Sequence, residues 1–206
     1  MSEPPPLKVM VAAGEVSGDM YGGALIAALR ARFPGRRLEV RGMGGEAMRA
    51  AGAELLFHTD ALGAMGIVEV LAKLRFFRRA LREMVALARE WRPDLLVTLD
   101  YYSFNIALAE RVHALGIRTA HYISPKVWVW RKGRIKRMAR AFDLLLCIFP
   151  FEPALYAPSG LRAVYVGHPL VDIVEERRNP EIVRDPASFL LLPGSRTMEI
   201  NFLLDP

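Results

Sequence analysis

Two groups of residues have the types and spacing to do chemistry. Asp100 closes the apolar run Leu95–Leu99 and precedes Tyr101-Tyr102-Ser103-Phe104-Asn105. A carboxylate on the rim of a sheet can accept a proton from an attacking hydroxyl, the work of a general base. It can also cap the following helix, although Ser103 is better placed for that. The second group is Ala13-Gly14-Glu15-Val16-Ser17-Gly18-Asp19, a small polar turn that follows an apolar strand and opens a helix. Such a turn sets backbone N–H groups and a helix N-terminus over the end of a sheet, where anionic or polyhydroxyl ligands bind. Gly14, Glu15 and Ser17 are its candidate substrate contacts. Ser17 can instead cap the helix, and Asp19 can be a favourable charge in its first turn.

Other chemistries find less support. The turn lacks the Gly-Lys-Ser/Thr of a phosphate-binding loop and the Gly-x-Gly-x-x-Gly of a dinucleotide site, and Gly42-Met43-Gly44-Gly45 lacks a third glycine in register. His58, His113, His121 and His168 have no ligand-like spacing, and the single cysteine, Cys147, sits in an apolar run that reads as a buried strand. No metal or other cofactor is expected. No Gly-x-Ser-x-Gly elbow is present. In Ser124–Arg131, Trp128 and Trp130 fall on one side of an extended segment. They suit a stacking wall for a sugar, an apolar wall for acyl chains, or plain core packing.

The elements that must position these residues follow from the pattern. Strands are expected at Leu7–Ala12, Leu38–Val40, Leu55–Phe57, Leu95–Leu99, Thr119–Ile123, Leu144–Ile148 and Ala163–Val166. Helices are expected at Asp19–Phe33, Glu46–Ala51, from about Met65 to Trp91, Phe104–Leu115 and Arg131–Ala141. Continuous apolar strands alternating with helices predict an α/β fold: a Rossmann-like parallel sheet covered on both faces. Residues 1–166 form the expected first domain. Residues 167–206 read as a linker, through Pro186, and then the start of a second α/β domain, with a strand at Phe189–Leu192, a turn at Pro193-Gly194-Ser195-Arg196 and a helix from Glu199. The rest of that domain does not follow.

The 206 residues are 52% hydrophobic and 24% charged, enough to bury a core. No signal peptide or membrane-spanning run is read, so a cytoplasmic location is expected. The net charge of +6 is concentrated in Lys73, Arg75, Arg78, Arg79 and Arg82 and in Arg131, Lys132, Arg134, Lys136, Arg137 and Arg140. Such clusters suit nucleic acid, anionic lipid headgroups, phosphorylated substrates or a solvated helix face. No nucleic-acid module is recognisable, so no nucleic acid is expected as a partner. The segment Met65–Leu74 alternates apolar anchors with flanking cations. Met65, Val68, Leu71 and Leu74, with Phe76 and Phe77 beyond, fit a helix lying in a membrane surface, or an ordinary amphipathic helix packed on the sheet.

In order, Ala13–Asp19, Gly42–Gly45, Met65–Leu71, Asp100 with Phe104-Asn105, Tyr122–Pro125 with Val127-Trp128 and Trp130-Arg131, Phe149–Glu152, Gly167-His168-Pro169, and Leu191–Arg196 with Glu199-Ile200 resemble the lipid-A-disaccharide synthase family. The resemblance covers nearly the whole chain and corresponds to roughly the N-terminal half of a member. It implies the GT-B fold, two Rossmann-like lobes around a cleft. It implies inverting transfer of 2,3-diacylglucosamine from its UDP conjugate to 2,3-diacylglucosamine 1-phosphate, giving a β-1,6-linked disaccharide and UDP at the cytoplasmic face of the inner membrane. Asp100 matches the family's proposed general base, and Asn105 belongs to the same motif. Ser195, Arg196 and Glu199 match the start of the nucleotide-sugar lobe, with Arg196 on the diphosphate. The Met65–Leu74 helix matches a region for acyl chains and membrane. Tyr102 and Ser103 stand where many relatives have a proline and an acidic residue or glycine. Without the missing C-terminal domain, required for donor binding, the chain alone is expected to be inactive. The alternatives are a non-catalytic α/β domain that binds an acylated sugar phosphate or an anionic membrane surface, and a different nucleotide-sugar enzyme of like architecture, such as an epimerase. Asp100 followed by the Trp-containing segment argues against the last.

Overall fold

The computed structural model describes residues 4–59, 67–127, 133–179, 181, 185–192, 200 and 203, and for residues 67–74 the backbone only. The described elements run β1 (Leu7–Ala13), α1 (Val16–Arg32), β2 (Leu38–Gly44), α2 (Glu46–Ala50), β3 (Glu54–His58), α3 (Ile67–Trp91), β4 (Leu95–Leu99), α4 (Tyr102–His113), β5 (Arg118–Tyr122), α5 (Arg134–Ala141), β6 (Leu144–Cys147), α6 (Glu152–Tyr156), a 3₁₀ turn (Ala157–Ser159), β7 (Arg162–Tyr165) and α7 (Pro169–Glu176). Contacts divide the chain into two units, residues 1–169 and 170–206.

In the first unit all seven strands form one parallel sheet in the order β3-β2-β1-β4-β5-β6-β7. The chain moves outward from β1 to β3, then returns to the other side of β1 to lay down β4. Right-handed crossovers then send α1 and α2 to one face and α3 to α6 to the other. The strands are apolar on both sides because both faces are covered. Val9 to Ala13 are all buried, as are Leu96, Val97 and Leu99. Met10, Ala12 and Leu96 join Ala80, Met84 and Ala88 of α3 and Leu108, Ala109 and Val112 of α4 in the main core.

The register sets the strand ends level. Ala13 pairs with Leu99 and Leu99 with Tyr122, so the turns after β1, β4 and β5 share one edge. The return between β1 and β4 is the topological switch point, where turns that leave in opposite directions open a crevice.

Several expectations are corrected. Helix α1 starts at Val16, not Asp19, and α4 at Tyr102, ahead of Ser103, so neither Ser17 nor Ser103 is a cap: the flanking residues are Glu15 and Tyr101, without a side-chain cap bond. Gly42, Met43 and Gly44 extend β2 rather than forming a loop. The expected linker contains α7, with Pro169 at its first position, where a missing N–H costs nothing. In the second unit, Phe189–Leu192 is not a strand. It joins no ladder among the described residues, and its side chains are exposed. An apolar run without a partner strand has nothing to bond or bury it. Helical residues there are described at 200 and 203, and the expected turn at Ser195, Arg196 and Glu199 lies outside the described residues.

Candidate functional site

The crevice is built from two turns. After β4 the backbone takes two successive left-handed residues, Asp100 (φ 52°) and Tyr101 (φ 33°), before α4 begins. Left-handed conformations are unfavourable for residues with a Cβ and persist where surrounding contacts hold them. The holding contacts are visible. The Asn105 side-chain amide donates to the carbonyls of Leu99 (2.9 Å) and Asp100 (2.7 Å), tying the first turn of α4 back to the end of β4. Tyr101 stacks on Phe77 of α3 at 5.0 Å, and Phe77 meets Phe104 and Phe76.

This geometry leaves Asp100 half-buried at the carboxyl end of the sheet. One carboxylate oxygen accepts from the Ser17 hydroxyl at 3.2 Å, across the switch point, and the other accepts from the Tyr101 backbone N–H at 3.0 Å. Two donors orient the carboxylate, which has no ion pair among the described residues, and a carboxylate has room for further donors. Tyr21 of α1 is close enough that burial, reinforced by the charge of Asp100, raises its phenol pKa. Burial, with Glu15 beside it, does the same to Tyr101. The crevice thus presents two carboxylates, one hydroxyl and two protonated phenols. Such groups can orient a sugar hydroxyl and take its proton.

The rest of the β1 turn is shaped by close approach. Gly14 is buried, and a Cβ there would stand 2.7 Å from the Cβ of Tyr101. Glu15 is exposed at the crevice mouth. Asp19 lies in the first turn of α1, as expected, and does further work. Its buried carboxylate accepts from the N–H groups of Gly45 (2.6 Å), Ala47 (2.9 Å) and Met48 (3.1 Å), capping α2 from another element. Its signal in the sequence is indirect: Gly45 precedes α2 and has no side chain to cap it.

The structure therefore brings Gly14, Ser17, Asp100 and Asn105 together, with Glu15 at the edge. It adds Tyr101 and Tyr21, whose placement depends on a backbone conformation that residue types alone do not announce. Phe76 and Phe77 are half-buried and packed on the core beside Phe57 and Phe104, so their rings brace the site from the inner side of α3. Val68, Leu71 and Leu74 lie on α3, where only the backbone is described, and Met65, Trp128 and Trp130 lie outside the described residues. Further along the edge, Ser124 bonds Tyr156 at 2.8 Å, and the fully buried Glu152 accepts from the N–H groups of Ile148 and Phe149, both at 3.0 Å. Burial raises the Glu152 pKa and pushes the Cys147 thiol up to about 12, which makes it a core group rather than a nucleophile. Among the described residues no cluster of three His, Cys, Asp or Glu side chains could hold a metal ion. No helix among them is long and apolar enough to cross a membrane.

A parallel sheet in this order, with its crevice at the switch point, defines a class: a Rossmann-like lobe of the GT-B architecture. A solved UDP-N-acetylglucosamine 2-epimerase shares the fold over 89% of this chain and 53% of its own, with a TM-score of 0.59 and 14% identity. That likeness is one of fold alone. The sequence matches lipid-A-disaccharide synthetase over residues 9–206, and the chain belongs to that family. It is 41% identical over 211 residues to the lipid-A-disaccharide synthase of Myxococcus xanthus, covering 99% of this chain and 54% of the relative. It is 40% identical over 202 residues to that of Neisseria gonorrhoeae, covering 95% and 51%. The chain thus spans about half the length of the curated relatives it matches.

Proposed function

We propose that this chain is the acceptor-binding lobe of a glycosyltransferase that makes the lipid A disaccharide. In this reading the 6-hydroxyl of 2,3-diacylglucosamine 1-phosphate attacks the anomeric carbon of UDP-2,3-diacylglucosamine. Asp100 takes the hydroxyl proton as the new C–O bond forms. The anomeric carbon–oxygen bond to UDP breaks on the opposite side, UDP leaves with the electron pair, and the configuration inverts to the β-1,6 linkage. Ser17 and the Tyr101 N–H hold the carboxylate in line, while Gly14, Glu15 and Asn105 shape the acceptor crevice. Ser195, Arg196 and Glu199 are assigned to the donor diphosphate, where a forked guanidinium suits phosphate oxygens. The chain would work at the cytoplasmic face of the inner membrane, with Met65 and the apolar start of α3 (Val68, Leu71 and Leu74) assigned to acyl chains.

The observation that carries this reading is Asp100 itself, half-buried at the switch point of the sheet and bonded to Ser17. The test is transfer of radiolabelled sugar by the chain with and without a supplied donor lobe. Activity is expected only with the donor lobe. In the active pair Asp100→Asn should lower kcat by roughly a hundred- to ten-thousandfold while acceptor binding persists. Turnover near the unsubstituted rate would remove Asp100 from the role of base.

A further inference from the structure

Away from the crevice, on the outer side of α3, lies a groove of about 620 Å³ lined by Arg75, Arg78, Leu81, Arg82, Val85, Ala86 and Arg89 of α3 and by Arg111 of α4. Its five guanidinium groups are exposed, and none has a carboxylate partner among the described residues. Nearby arginines behave differently: Arg79 pairs with Glu83 at 2.6 Å and Arg137 with Glu110 at 2.6 Å. Among the described residues no salt bridge therefore offsets the charge of the groove, although Arg111 acts on Glu110 at longer range. At 100° per residue the four α3 arginines fall within an arc of about 60°, in a row about 21 Å long. Leu81 and Val85 pack inward on the core and form an aliphatic floor between them.

We infer that this groove binds the phosphate headgroup of an anionic bilayer phospholipid, with the guanidinium groups on the phosphate and Leu81 and Val85 against the first acyl carbons. The inference deepens the membrane-facing part of the proposed function and rests on it. The sequence of α3 supports this occupant. Ile67, Leu71, Leu74, Arg78, Arg82, Val85 and Arg89 follow one another in steps of four or three, a single helical stripe that begins apolar and becomes cationic. An interfacial helix has this composition, with apolar anchors and cations at headgroup level. A single-stranded nucleic acid would want aromatic faces for its bases, and the groove has only aliphatic side chains and arginines.

The test is co-sedimentation of the whole chain with vesicles of phosphatidylcholine alone and of phosphatidylcholine mixed with phosphatidylglycerol. Arg78→Gln/Arg82→Gln should lower partitioning onto the mixed vesicles about thirtyfold. Lys136→Gln/Arg140→Gln, which removes the same charge from α5, should change it by less than about threefold. Short-chain phosphatidylglycerol in solution should displace the chain from the vesicles, and inorganic phosphate at equal ionic strength should not. Equal losses in the two double variants, equal displacement by inorganic phosphate, or tighter binding of an acidic peptide or RNA than of the lipid would overturn the groove assignment. Loss of vesicle binding in Leu71→Ser with full binding in the groove variant would do the same while leaving the membrane-facing reading intact. If the unsubstituted chain binds neither vesicle, both fall. Unchanged thermal melting of each variant by circular dichroism separates lost binding from lost folding.

Discussion

The backbone of Gly14 lies directly against Tyr101: a methyl group on Gly14 would stand 2.7 Å from the Tyr101 Cβ. That contact joins the first turn of the sheet to the strained turn after β4, and so couples the loop that carries Ser17 to the residue next to Asp100. Gly14→Ala cannot be absorbed by a flexible side-chain end, because it meets the root of a ring already stacked on Phe77. The substitution should destabilise the lobe by about 2 kcal/mol, as overpacking does. Urea denaturation measures this. A change below about 0.5 kcal/mol would mean that Tyr101 yields freely and does not fix the position of Asp100.

Asp19 gives a second prediction, unrelated to substrate. Its carboxylate satisfies three N–H groups at the start of α2, two of these bonds being fully buried. Asp19→Ala leaves the donors without an acceptor and should cost about 3 kcal/mol. Asp19→Asn keeps one acceptor oxygen and should cost about half as much. Equal and small losses in both, by urea denaturation, would show that water replaces the carboxylate.

Strand positions were legible because they are written in burial. Leu95–Leu99 is apolar without interruption, and the structure returns it with the same bounds. Helix starts were less legible. Ser17 and Ser103 look like caps, yet α1 and α4 each begin one residue before them, because their first turns are held by tertiary contacts such as the Ser17–Asp100 bond. The position of Asp100 at a strand end could be read directly, but its left-handed backbone and its neighbours Tyr101 and Tyr21 could not. Those depend on which strand lies next to β4, and that neighbour is β1, where Val9 pairs with Leu95 from far earlier in the chain. A shorter separation, 26 to 29 residues, hid the pairing of Asp19 with α2. A local reading assigns a carboxylate to the nearest helix, and here the nearest helix is not the one it caps.

His121 yields the last prediction, with a definite sign. It is buried in β5, 2.7 Å from the Thr98 hydroxyl and stacked on Phe142 at 5.1 Å. Burial lowers its pKa from 6.5 to about 4, so the folded lobe holds the imidazole neutral where an unfolded chain would protonate it. Between those values the unfolded state binds the extra proton, and stability rises with pH. The contribution is complete above about pH 6.5 and is lost as pH falls toward 4, by at most about 3 kcal/mol. Glu152 acts in the opposite sense, because burial raises its pKa and its neutral form is favoured at low pH. The two are separated by comparison. His121→Gln should flatten the slope of unfolding free energy against pH between about 4 and 6.5, relative to the unsubstituted chain, and leave the slope above that window unchanged. If both proteins lose stability in parallel on acidification, the slope arises elsewhere, and His121 is either protonated in the folded state or opened to water by local motion.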